Sequence, residues 1–274
     1  QGITSLIKLK PGEVYSSKVR EKSIEDISNL YRDWGHLYVQ VMPVENLDPR
    51  HKIVNLTFNI YEGEVAYLHR LEFRGNTFTK DKVIRREMLL REGDRFSLAA
   101  FKDSVLRVKQ LGLVDIEKDP EINPDLKDPT KVNVKMNVKE MQRNNFQFSA
   151  GYSGYEGTFV SFSYSTVNLL GGGENFELAM QQGKVTKYYQ LSFTQPYMFD
   201  KPLTAGISIF NRRTYYTDLY NQKSLGANLQ IGTRIFKYAR LSMVYTIQKI
   251  EAWIPADSPL DPTSDDYNEY LAAY

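Results

Sequence analysis

Three histidines, His36, His51 and His69, are the first candidates for acid–base or metal chemistry, and no two of them stand at i, i+4 on a helix face. The chain has no cysteine, which excludes a thiol nucleophile, a thiolate zinc site and a disulfide framework. Gly171-Gly172-Gly173 supplies mobile backbone but leads into Glu174-Asn175, not into the Gly-Lys-Ser/Thr that ends a phosphate loop. A hairpin turn accounts for it better. Asp265, Asp266 and Glu269 offer oxygens to a hard cation without the spacing of an EF-hand loop, so a solvated loop is the simpler reading. Lys82, Arg85 and Arg86 form a basic run on a short helix, by default a solvated face and by function a docking patch. No catalytic, cofactor-binding or metal-binding residue is expected, and the chain reads as a non-enzyme.

The chemistry that remains is that of the backbone, which makes the elements themselves the question. The chain is 274 residues long with 35 basic against 33 acidic side chains, a formal charge of +2 that argues against nucleic acid as a partner. No stretch reaches the ~18 consecutive apolar residues of a membrane-crossing helix. That says nothing about a β-barrel, whose strands alternate. Aromatic residues make up 13%, with 19 Tyr and 14 Phe, which suits strand surfaces. The start at Gln1-Gly2 without Met, and an end after a Pro/Asp-rich loop, read as a fragment at both ends.

The first half repeats itself. Leu9-Lys10-Pro11-Gly12-Glu13-Val14-Tyr15-Ser16 returns as Leu90-Arg91-Glu92-Gly93-Asp94-Arg95-Phe96-Ser97, in each case a Gly turn, an aromatic and a Ser where a helix N-cap belongs. Val19, Ile24, Ile27, Leu30 and Tyr31 then fall at helical spacing, as do Phe101, Val105, Val108 and Leu111. The helices end at Gly35 and Gly112, and the first is about one turn longer. A strand departs from each, Leu37, Tyr38 and Val39 through Val41, or Leu113, Val114, Asp115 and Ile116. A second strand follows in the frame V-N-x-x-x-N-[IV] from Val54 or Val132. The second copy has in addition a strand over 66–73, a turn at Arg74-Gly75-Asn76, and a short helix capped by Thr79 that continues to Leu90. The expected organisation is a partial unit over 1–64 lacking its first strand and helix, a complete β-α-α-β-β unit over 65–141, and a different domain over 144–274.

From Asn145 onward the period becomes two. Seven segments of about ten residues alternate apolar with Ser, Thr, Gln, Asn and Gly, from Phe146, Phe148, Ala150 and Tyr152 in the first to Leu241, Met243, Tyr245 and Ile247 in the last. That length crosses a bilayer when the strand tilts, and an uncharged polar face suits a barrel lumen better than the wet face of a soluble sandwich. Phe146, Phe148, Leu191, Phe193, Leu229 and Ile231 are expected to face lipid. Tyr197, Phe199, Phe236 and Tyr238 would form one interfacial girdle, with Tyr188, Tyr215, Tyr216 and Trp253 the other.

The unit opened by Arg74-Gly75-Asn76, with Arg91-Glu92-Gly93-Asp94-Arg95-Phe96-Ser97 between its helices, resembles a POTRA (polypeptide-transport-associated) domain. Two in tandem lead almost without linker into the alternating strands. Leu170-Gly171-Gly172-Gly173 and Gln195-Pro196-Tyr197-Met198-Phe199 look like the second and fourth strand ends of the barrel in the BamA family of outer-membrane protein assembly factors, in the POTRA-plus-barrel superfamily. The fold that this resemblance implies is α+β POTRA repeats followed by the first half of an antiparallel transmembrane β-barrel. The function it implies is assembly and insertion of outer-membrane proteins in a bacterial outer membrane, with the POTRA domains in the periplasm. Its partners would be unfolded β-barrel clients, accessory assembly lipoproteins (one of which the Lys82, Arg85, Arg86 patch would dock) and outer-membrane lipid. No cofactor is implied.

A sheet edge can take up a second chain through main-chain hydrogen bonds that ask little of its sequence. Two kinds of edge qualify. One is the POTRA strand at Leu37, Tyr38 and Val39, and at Leu113, Val114, Asp115 and Ile116. The other is the first barrel strand, Asn145, Phe146, Gln147, Phe148, Ser149, Ala150, Gly151, Tyr152 and Ser153, where the resemblance implies a lateral gate. Gly151 and Gly154 either weaken that strand or only fit it to barrel curvature. Two alternatives stand beside the assembly factor: a two-partner-type secretion pore of the same superfamily, and a soluble α/β-plus-sandwich binding module.

Overall fold

A computed structural model describes residues 3–216, 220–236, 239–255 and 261–263. Tyr238 and the Asp265, Asp266, Glu269 group lie outside the described residues. Contacts divide the chain into two units, residues 1–141 and 142–274.

The first unit opens with α1 (Ser17–Asp33), which leads into β1 (Gln40–Asp48) and the antiparallel β2 (Ile53–Tyr61). Ile27, Tyr31 and Val39 are buried where α1 meets this hairpin. Next come β3 (Tyr67–Arg74), α2 (Asp81–Arg85) and α3 (Leu98–Gln110). The unit closes with β4 (Val114–Ile116), β5 (Glu121–Pro124) and β6 (Lys131–Glu140). α3 has 13 residues against 17 in α1, the one-turn difference read from the sequence. Gly35 (φ +91°) and Gly112 (φ +68°) stand just past the two helices in the left-handed region, as helix-terminating residues should.

β6 is the central strand of the second repeat. It pairs in parallel with β3 along one edge, which requires the crossover that α2 and α3 supply. Along its other edge it meets β5 at 132–135 and β4 at 138–140. Its alternation is strict: Val132, Val134, Met136 and Val138 all point into the core, against Leu68, Leu71, Phe73, Phe96, Phe101 and Val108. Burying a side chain such as Phe96 (0% exposed) contributes about 1.5–3 kcal/mol. β5 was not foreseen; Pro124 disguised it, and a strand's last residue on a sheet edge has no need of its N–H.

Two expectations for this unit fail. The helix expected from Thr79 to Leu90 is five residues long, and Thr79 does not cap it. The Thr79 hydroxyl donates instead to Glu140 at 2.7 Å, and the Thr79 amide to the same carboxylate at 2.8 Å. After Arg86 the chain turns, and the Leu89 amide donates to the Ser104 hydroxyl at 2.8 Å. This carries Leu90 inward and leaves Leu89 exposed. The strand expected from Leu37 begins only at Gln40; Leu37 and Tyr38 form a turn, and Val39 fills the core below α1.

Among the described residues the second unit is one antiparallel meander of seven strands in sequence order. They are β7 (Asn144–Ser153), β8 (Gly157–Val167), β9 (Asn175–Gly183) and β10 (Thr186–Gln195), then β11 (Leu203–Tyr216), β12 (Tyr220–Phe236) and β13 (Ala239–Trp253). The register lines Phe146, Tyr164, Leu178, Leu191, Ile209, Ala227 and Ile247 into one apolar row across all seven. A second row runs Phe176, Phe193, Ile207, Leu229 and Tyr245. The opposite face is polar and internally bonded: the Asn228 amide donates to Ser208 (3.0 Å) and the Thr246 hydroxyl to Asn228 (2.8 Å).

The apolar band is oblique to the strands. On β7 its outward residues begin at Phe146, whereas on β13 they end at Ile247, in the same row. A shift of three rows of roughly 7 Å, over six inter-strand steps of roughly 4.8 Å, means that the strands cross the band at about 35° from its normal. That is the tilt of transmembrane barrels. The expected girdles are partly corrected by parity. Tyr215 and Trp253 share the outward parity of Ile209 and Ile247, but Tyr188 and Tyr216 have the inner one, since a strand's side chains alternate.

Candidate functional site

Among the described residues β7 pairs only with β8, and β13 only with β12. The other edge of β7 thus has no partner among the described residues over its ten residues, Asn144–Ser153, and alternate residues turn their N–H and C=O groups to it. Phe146 and Phe148 remain 69% and 74% exposed, although Phe162, the partner of Phe148, is 37% exposed. The Phe146 ring lies 4.7 Å from that of Tyr164, which in turn is 6.2 Å from Phe176, so the edge is anchored sideways by an aromatic series. Asn145, Gln147, Ser149 and Ser153 lie on the other face, opposite Ser165, Ser163, Ser161 and Gly157.

Gly151 has a specific cause. It stands opposite Phe159, and a Cβ added to it would lie 2.9 Å from the tip of that ring. The glycine gives the aromatic its place on the inner face. Gly154 is not in the strand at all; β7 ends at Ser153, and Gly154 lies in the following turn.

Two carboxylates that sequence reasoning passed over hold the hairpin turns. In the Gly-rich turn the Glu174 side chain, 6% exposed, accepts from the amides of Leu170 (3.0 Å) and Gly172 (2.9 Å). The Asn168 side chain accepts from Gly173 at 2.8 Å. Between β7 and β8, Glu156 accepts from the Thr186 amide at 2.7 Å and ties that turn to the start of β10. The signal was present: an acid next to a run of glycines finds unshielded N–H groups.

In the first unit, β4 is the end strand of its sheet, with Val114 and Ile116 buried, Asp115 outward and Leu113 buried just before the strand. In the first repeat β1 and β2 form a two-stranded sheet, so each has an unpaired edge among the described residues, and β1 begins after Leu37, Tyr38 and Val39. The basic run is split by the fold. Lys82 is exposed, but Arg85 donates to Asp81 (2.7 Å), Glu92 (3.2 Å) and the Leu71 carbonyl (2.8 Å), and lies 5.4 Å over the Phe73 ring. Its guanidinium is held charged, first by Asp81. Glu92 is held below the usual carboxylate range by the Leu71 amide and then, against its partial burial, by Arg85. Arg85 is thus committed to packing α2 on β3 rather than to a free patch. Among the described residues no three His, Asp or Glu side chains are grouped to hold a metal ion, and no helix is long and apolar enough to cross a membrane.

Comparison with known proteins matches two families, one in each half of the chain. Residues 1–63 and 66–141 match the POTRA family, a surface antigen variable number repeat, and residues 168–263 match the Omp85 superfamily domain. The outer membrane protein assembly factor BamA of Neorickettsia risticii is 28% identical over 97% of this chain and 36% of its own length. The chain thus spans about a third of that relative. Among solved structures, BamA from Haemophilus ducreyi lacking POTRA domains 1–3 superposes with a TM-score of 0.76 at 22% identity, over 92% of this chain and 49% of that one. CdiB from Acinetobacter baumannii reaches 0.52 at 13% identity, over 92% and 50%. These two likenesses bear on the fold.

Proposed function

The chain belongs to the POTRA family, with an Omp85 superfamily domain in its second half, and from that premise we propose that it is part of a non-enzymatic factor that inserts β-barrel proteins into a bacterial outer membrane. The POTRA repeats lie in the periplasm and receive unfolded clients along the open edges of β1 and β4. The barrel delivers them to the membrane at the seam that β7 forms with the closing strand. Accessory lipoproteins dock on the POTRA repeats, where Lys82 remains exposed.

The observation that carries this reading is the order of the chain, two POTRA repeats that lead directly into an outwardly apolar meander whose first strand is β7. Main-chain pairing there is indifferent to client sequence, which a receiver of many different barrels requires. The outward apolar rows, which run unbroken across seven and five strands, argue against a soluble module, because contiguous exposed apolar surface marks a membrane or partner interface. A secretion pore of the same superfamily would share the architecture; the sequence likeness to a BamA assembly factor over 97% of this chain supports the assembly factor.

The test is a lock on the seam of the full-length protein. A cysteine at Gln147 or Ser149, paired with one on the closing strand where the Cα atoms come within ~7 Å, forms a disulfide. Locking blocks insertion of client barrels, and a reductant restores it. Insertion at an unchanged rate by the locked protein would make β7 an ordinary barrel strand and move the action to the POTRA edges.

A further inference from the structure

Four basic side chains gather at one level of the outward barrel face. Lys187 on β10, Arg213 on β11 and Lys223 on β12 are successive register partners. The next partner in that row is Glu251 on β13, and Lys249 stands one outward position before it. All share the parity of Leu191, Ile209, Leu225 and Ile247, whereas Arg212 stacks over Tyr188 on the inner face at 5.0 Å. The oblique course of the apolar band brings Lys249, one row lower on the last strand, to about the height of the other three. They lie just beyond Tyr189, Leu225 and Ile247, where the apolar surface ends. Lys187 lies 5.6 Å over the ring of the outward Tyr215.

Like charges placed directly across a strand pair repel. Among the described outward residues of β9 to β13, Glu251 is the one acid, and it is engaged by Lys249 at 2.6 Å. Four cations against one carboxylate among these described residues, at the rim of an apolar face, suit an anionic ligand. Cations one strand apart, roughly 5 Å, suit a doubly charged phosphomonoester better than the single charge of a phosphodiester. β7 starts two residues into the second unit, so strand polarity puts this row at the strand ends remote from the POTRA link.

We propose that Lys187, Arg213, Lys223 and Lys249 form a binding site for the phosphomonoester headgroup of a lipid in the leaflet that meets the strand ends remote from the start of β7. This rests on the membrane placement proposed above. The full-length protein is reconstituted in phosphatidylcholine nanodiscs doped with bis-phosphorylated lipid A or with phosphatidylglycerol, and the lipid retained after washing is counted by native mass spectrometry. The expected result is preferential retention of lipid A, reduced at least five-fold in the combined variant K187Q/R213Q/K223Q and unchanged when the exposed POTRA lysines Lys18, Lys118 and Lys127 are changed to Gln. Should the combined variant fail to fold, Arg213→Gln alone shows an intermediate loss that Arg213→Lys does not. Equal retention by wild type and variants, or equal retention of phosphatidylglycerol and lipid A by the wild type, overturns the site and leaves the membrane placement standing. A wild-type protein that stays in solution without detergent and enters no bilayer overturns both.

Discussion

The carboxylate of Asp33, the last residue of α1, accepts a hydrogen bond at 2.7 Å from the amide of Ala99 in the first turn of α3. Ser97 accepts from Ala100 beside it at 3.2 Å, so the α3 N-terminus is capped once from its own repeat and once from the preceding one. The joint is reinforced where the Ala66 amide donates to the Gly35 carbonyl at 2.8 Å. A carboxylate at a helix N-terminus also meets the positive end of its dipole. Asp33→Ala should destabilise residues 1–141 by about 1 kcal/mol, and hydrogen exchange should speed up at Ala99 more than at Val108. Equal protection in both proteins would mean that the repeats are coupled by other contacts.

Two glycines with nearly the same backbone angle should respond differently to a methyl group. Gly75 (φ +95°) faces the Val138 carbonyl, and a Cβ would run into that oxygen. Gly93 (φ +96°) faces open space. Gly93→Ala should therefore cost only the left-handed backbone penalty, about 1 kcal/mol, whereas Gly75→Ala should cost over about 3 kcal/mol because β3 and β6 must part. Urea denaturation of residues 1–141 distinguishes them, and similar midpoints would refute the steric account.

Acid should weaken the POTRA unit through identifiable carboxylates. Glu45 is held low by Tyr15 and then Arg20, Glu72 by Arg74, and Glu92 by the Leu71 amide. Each binds its proton less readily folded than unfolded. The stability they contribute is complete above the ordinary carboxylate value of about 4.3 and is lost as pH falls through the lower folded values. The melting temperature of residues 1–141 should fall steeply below about pH 4, and the combined variant Glu45→Gln, Glu92→Gln should show a shallower fall. An unchanged slope would assign acid sensitivity to other groups.

Much of this architecture was legible in the residues because it follows from periodicity. The lengths of α1 and α3 and the seven described strands of the meander each rest on a local pattern repeated over about ten residues or more, and a glycine marks the end of both helices. What escaped depended on partners distant in sequence. Thr79 looked like a cap until Glu140, 61 residues later, claimed its hydroxyl. Arg85 looked like surface until Glu92 and the Leu71 carbonyl bound it. The alternation of β7 was legible in its residues, but the reason for Gly151 lay in a cross-strand ring, Phe159, that only register reveals. The basic row was invisible for the same cause: Lys187, Arg213 and Lys223 are far apart in the chain and adjacent only through pairing.

The facing of the meander gives the sharpest separation between neighbouring residues. Leu229 sits between Ile207 and Tyr245 in an outward apolar row, and Gln230, one residue on, lies on the inner face between Gly206 and Val244. The pairing is antiparallel and continuous here, so no bulge intervenes to exchange the faces; the irregularity in this strand pair lies at Arg234/Phe236. An arginine at position 229 must place its guanidinium in hydrocarbon near the middle of the band, at a cost of about 2–4 kcal/mol, whereas at 230 it stands on the exposed inner face, where water can reach it. In the full-length protein, Leu229→Arg should reduce the heat-modifiable folded fraction seen by electrophoresis, while Gln230→Arg should leave it close to wild type. Equal assembly of the two variants would invert or abolish the assigned faces, and with them the outward direction of Lys223, six residues earlier on the same strand and on the same side as Leu229.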